Sequence, residues 1–81
     1  MRQRDMREAN ALQFLQLRRY ASAIDLGHAA VRGEPRAFHI PRKGREAIGL
    51  SIGLEFVRRG LARPTRNNCF ALLTDSPIST F

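Results

Sequence analysis

The chain has 81 residues, 43% of them hydrophobic, with no tryptophan, one cysteine and a formal charge of +7. A chain this short makes a single domain and buries only roughly 60–65% of the surface it exposes when unfolded, so its core is thin and a deep, walled catalytic pocket is not expected. The lone Cys69 excludes an internal disulfide, no stretch approaches the ~20 apolar residues of a membrane span, and the start Met1-Arg2-Gln3-Arg4-Asp5 lacks an apolar leader, so a cytoplasmic protein with no membrane partner is expected.

Residues 1–4 read as a basic N-terminal extension. Residues 5–20 contain no proline or glycine and favour good helix formers. A helix is predicted there, with Asp5 as its cap and Glu8 completing a capping-box pattern. At about 100° per residue, Met6, Leu17, Ala21 and Ile24 share a face flanked by Phe14 and Tyr20, while Leu12 and Leu15 point elsewhere. A helix apolar on more than one side touches two neighbours or a second chain, so a homodimer through Leu12 and Leu15 is expected. Ser22 and Asp25 repeat the cap signature, predicting a second helix over 23–32 that Gly33 closes and Pro35 stops. Between Pro35 and Pro41, the run Ala37-Phe38-His39-Ile40 reads as a short strand. A third helix is predicted over 45–59, apolar around more than half its circumference and therefore central to the fold. Gly49 and Gly53 are tolerable inside it if another element approaches closely on their face; the alternative is a hinge that divides the segment.

Gly60 ends that helix, and Asn67-Asn68 form a two-residue hairpin turn, since asparagine tolerates positive φ. In that register Thr65 faces Phe70, Arg63 faces Leu72, and Leu61, Phe70 and Leu72 look inward. Residues 74–81 show no periodicity and are expected to form a flexible tail. The predicted class is mainly α with a C-terminal β-hairpin (α+β): three helices and a two- or three-stranded small sheet in one domain over 5–73.

Thirteen of the fourteen cationic side chains are arginines, Lys43 being the exception. Such an excess attracts polyanions, and the guanidinium fork suits phosphate. The cations are densest between positions 42 and 66, where Arg42, Lys43, Arg45, Arg58, Arg59, Arg63 and Arg66 face only Glu46 and Glu55. Together with Asn67 and Asn68 they are the candidate nucleic-acid-binding residues. Catalytic pairs are lacking. His28, His39 and Cys69 have no metal-ligand spacing, and Gly44, Gly49 and Gly53 lack the preceding strand of a phosphate loop. No catalytic residue, metal or cofactor is expected, and the chain is read as a non-enzyme.

The run EAIGLSIGLEFVRRGLARPTRNNCFALL, residues 46–73, resembles the end of bacterial winged-helix regulators, in which a helix finishing in a basic "RRGL" step precedes a charged hairpin, the wing. The resemblance implies that residues 37–40 supply the strand that pairs with the wing. It also implies that Arg63, Arg66, Asn67 and Asn68 contact DNA, as a bacterial, phage or mobile-element transcription regulator would. The family places two consecutive helices before the wing, the second reading the major groove, whereas this reading puts one helix between the strand at 37–40 and the hairpin. Two further readings therefore stand beside DNA binding: a module docking on an acidic protein partner, and an RNA-binding protein. DNA is favoured over RNA because the aromatic residues look committed to the core, Phe38 excepted.

Overall fold

The computed structural model describes residues 3–73, with side chains from residue 6 onward. The tail expected over 74–81 and residues 1 and 2 of the expected N-terminal extension lie outside the described residues, while residues 3 and 4 already belong to the first helix. In chain order the elements are α1 (Gln3–Arg18), β1 (Tyr20–Ser22), α2 (Ala23–Ala30), α3 (Arg42–Arg58), β2 (Ala62–Pro64) and β3 (Cys69–Leu72). Single 3-10 turns occupy Ala37–His39 and Arg66–Asn68. The three strands form one antiparallel sheet in the order β1-β3-β2. The fold is α+β and mainly helical, ending in a hairpin. No helix among the described residues is long and apolar enough to cross a membrane.

Helix α1 starts before Asp5, which lies within it rather than capping it. It ends where Arg19 takes a φ of 67° and returns its N–H to the Leu15 carbonyl, a left-handed stop usually given to glycine. That stop breaks the helical phase. Continuing the wheel to Ala21 and Ile24 therefore selected the wrong face: Ala11 and Leu15 are fully buried, whereas Met6 and Leu17 are exposed. Leu15 belongs to the chain's own core and has no surface to offer a second copy; Leu12 is half-buried against the same core. The homodimer expected through this pair has no basis at Leu15.

Ser22 caps α2 as its sequence predicts, accepting a hydrogen bond from the Asp25 N–H at 3.2 Å. The third strand, however, is Tyr20–Ser22 and not 37–40. Antiparallel pairing of Tyr20, Ala21 and Ser22 with Ala71, Phe70 and Cys69 fixes it. Residues 37–40 form consecutive tight turns, with His39 N–H donating to Arg36 O and Ile40 N–H to Ala37 O. Two helices, α2 and α3, thus lie between the first strand and the hairpin.

Helices α2 and α3 are the most extensively packed pair, and glycine makes their contact possible. A methyl group added at Gly27 would fall 1.8 Å from the Arg45 carbonyl oxygen, and one at Gly49 would fall 1.6 Å from that of Ala23. Backbone meets backbone there. A methyl at Gly53 would lie 2.4 Å from the Phe70 ring, so this glycine seats the hairpin on α3. α3 is one unbroken helix, and Gly49 and Gly53 are approach positions, not a hinge. The core around them is rich in alanine (Ala11, Ala21, Ala23, Ala30, Ala62), with Phe56, Phe70, Leu15 and Leu26 its largest fully buried side chains.

The step Arg58-Arg59-Gly60-Leu61 ends α3 in a Schellman motif: Gly60, at φ 77°, donates to Val57 O and Leu61 donates to Phe56 O. The hairpin register differs by one residue from the sequence expectation. Thr65 donates to Cys69 O at 2.8 Å, Pro64 faces Phe70, Arg63 faces Ala71 and Ala62 faces Leu72. Three residues, not two, make the turn, with Asn67 and Asn68 both left-handed. The slip places Ala62 in the core and Arg63 on the outer face, which removes the conflict of an inward arginine.

Candidate nucleic-acid interface

The hairpin folds back along α3. Leu61 at its root is tied to Phe56; further along, Phe70, opposite Pro64, lies over Gly53. Ser22, opposite Cys69, leads into Ala23, whose carbonyl faces Gly49. Moving toward the hairpin tip is therefore moving toward the N-terminal half of α3. The exposed tip residues Arg66, Asn67 and Asn68 lie toward the N-terminal half of α3, in whose first turn Arg42 and Lys43 are exposed, while exposed Arg63 sits nearer the hairpin root, between Leu61 and Pro64. Arg58 lies about 24 Å from Arg42 along the helix axis, at the other end.

Charge pairing divides the candidate cations along the same line. Glu55 accepts from Arg58 at 3.3 Å and from Arg59 at 3.0 Å, and Glu8 of α1 accepts from Arg59 at 3.3 Å. Arg59 is thus a tie between α1 and the end of α3. Arg45 is half-buried, and its guanidinium donates to the Ala37 carbonyl at 2.9 Å, holding the loop before α3. Arg45 and Arg59 do structural work, although the sequence grouped them with the binding set. By contrast, Arg42, Lys43, Arg63 and Arg66 make no ion pair among the described residues. Arg36 is exposed and equally unpaired, and the sequence reading omitted it.

The loop over 31–41 carries Arg36 and is firmly held. Glu34 accepts two hydrogen bonds from the Arg7 guanidinium, at 2.8 and 2.9 Å. These bonds, reinforced by the carboxylate charge, hold Arg7 above the ordinary arginine range despite the opposing effect of burial. Asn10 donates to the Ala30 and Arg32 carbonyls, and Arg32 donates to Gln13. Phe38, at the outer edge of this loop, is 73% exposed, with the His39 ring 4.0 Å away in a tilted stack.

α3 begins without a side-chain cap. Pro41 occupies the cap position, no acidic residue lies in the first turn, and Arg42 and Lys43 stand at the positive end of the helix dipole. α2, with Ser22 and Asp25, shows the ordinary arrangement. Elsewhere, a cleft of about 490 Å³ between α1 and α3 is lined by Ile48, Ile52, Ala47 and Ser51, with Glu8 and Glu55 at its edge. Its carboxylates are the ones already bonded to Arg58 and Arg59. Among the described residues no three His, Cys, Asp or Glu side chains come together to hold a metal ion. Comparison of the chain with family models, with curated proteins and with solved structures gives no match.

Proposed function

We propose that this chain is a small basic DNA-binding protein of the winged-helix kind, acting as a transcription regulator, with α2 and α3 as its helix pair and the β2–β3 hairpin as its wing. The observation that carries the reading is the partition of charge. The carboxylates near the C-terminal end of α3 are paired with Arg58 and Arg59, while Arg36, Arg42, Lys43, Arg63 and Arg66 have no carboxylate partner among the described residues. The element order supports it too, since a strand followed by two helices and a hairpin is the sequence of parts that the resemblance requires. A phosphate at the uncapped start of α3 would meet free amides and two cations together. On this reading Lys43, Glu46 and Ala47, exposed in the first two turns of α3, would face base edges in the major groove.

Five phosphate contacts give a slope of log K against log salt of roughly −4 to −5, so duplex affinity should fall several hundredfold between about 50 and about 200 mM salt. Replacing Arg63 and Arg66 by glutamate should weaken binding to all sequences alike and lower the slope by about 2. Absence of binding to any duplex at about 50 mM salt overturns the reading.

A second reading, docking on an acidic protein, is favoured by one feature of α3. Leu54, 48% exposed, lies with Ala47 on the outer side of the helix, where a DNA reader would carry polar groups. Retention of one stoichiometric acidic partner from nuclease-treated lysate, together with no duplex binding, would select it.

A further inference from the structure

We infer that Phe38 is a stacking site for a nucleobase displaced from its duplex; the inference rests on the DNA-binding reading and adds the form of DNA preferred. Phe38 is one of the most exposed large apolar side chains described, at 73%, yet it does not sit on a loose loop. Val31 O accepts from Glu34, Glu34 O from Ala37, Arg36 O from His39 and Ala37 O from Ile40, so the segment is a chain of closed turns. The Arg7–Glu34 pair fastens it to α1 and the Arg45–Ala37 bond fastens it to α3. The ring is therefore presented outward by fixed backbone, with little ordering entropy left to lose when a partner covers it.

What would cover it follows from its neighbours. His39 stacks on the ring at 4.0 Å and leaves the rest open. From Arg36 to Lys43 the chain carries three exposed cations, Arg36, Arg42 and Lys43, and no carboxylate. An apolar protein surface gains nothing from three cations that lie within five residues of its anchor and have no carboxylate partner among the described residues. A nucleotide gains from both parts, because its base has a π face for Phe38 and its phosphates match the cations. A base within an intact duplex shows no free face, so the site takes one that has left the stack, at a mismatch, a flexible pyrimidine–purine step or an opened region.

The test uses the full chain and two duplexes of the same sequence. One is fully paired; the other carries a short central mismatch containing a fluorescent adenine analogue whose emission falls on stacking. The wild type should bind both and quench the analogue in the mismatched duplex. Phe38→Ala should bind the paired duplex within about twofold of wild type, lose about tenfold in affinity for the mismatched one, and lose the quenching. Phe38→Trp should retain preference and quenching. Circular dichroism should show both variants folded, as expected for an exposed side chain. If Phe38→Ala binds and quenches as wild type does, or loses equally on both duplexes, the stacking site is overturned while DNA binding stands. If the wild type binds neither duplex, the DNA reading itself fails.

Discussion

Arg59 and Arg63 are the same side chain in two settings, and the difference sets what each substitution should do. Arg59 bridges Glu8 and Glu55 across two helices. Its replacement by glutamine should lower stability by about 0.5–1 kcal/mol, as read in urea unfolding, and leave DNA affinity nearly unchanged. Arg63, on the outer face of β2 with no carboxylate partner among the described residues, should behave in the opposite way. Leu15 makes a parallel case among apolar residues. Because it is fully buried within the chain, Leu15→Ala should destabilise the fold by about 2–5 kcal/mol, and light scattering should show no change of oligomeric state caused by a lost contact at this position. Sequence reading could not separate these pairs. Composition counts arginines and leucines, whereas their roles depend on which carboxylates and which helices lie opposite.

Elements differ in how much of their reason is local. The cap of α2 at Ser22 and the Schellman end of α3 at Gly60 depend on a few consecutive residues, and both are legible in the sequence. Strand β1 is three residues long and exists because β3 offers it an edge, so its own residues, Tyr-Ala-Ser, announce nothing. The run at 37–40 has the better strand composition and forms turns instead, since no sheet edge reaches it and Arg45 holds its carbonyl. The hairpin slipped by one residue for a related reason: seating Ala62 in the core and Arg63 outside outweighs the preference for a two-residue turn. The glycines of α2 and α3 provide the sharpest test at this scale. Gly49→Ala must force α2 and α3 apart, and it should destabilise by about 2–3 kcal/mol or abolish folding in thermal denaturation. Gly53→Ala collides first with the Phe70 ring, so combining it with Phe70→Leu should recover part of its loss. A double-mutant cycle should give a favourable coupling of about 1 kcal/mol.

At the scale of the whole molecule, a small alanine-rich core holds three short helices against a three-stranded sheet, and most of the charged groups stay outside it. Net charge was readable from the sequence, but its distribution was not. Glu55 and Glu8 pair with Arg58 and Arg59 toward the C-terminal end of α3 and Glu34 pairs with Arg7, whereas Arg36, Arg42, Lys43, Arg63 and Arg66 have no carboxylate partner among the described residues. That asymmetry is the central claim, and two variants of identical net charge test it. Arg42→Gln with Lys43→Gln should reduce the salt slope of duplex binding by about 1.8, whereas Arg58→Gln with Arg59→Gln should leave the slope as in the wild type. Equal reductions in both variants would mean that the chain holds DNA by diffuse charge alone, and would contradict a defined binding surface.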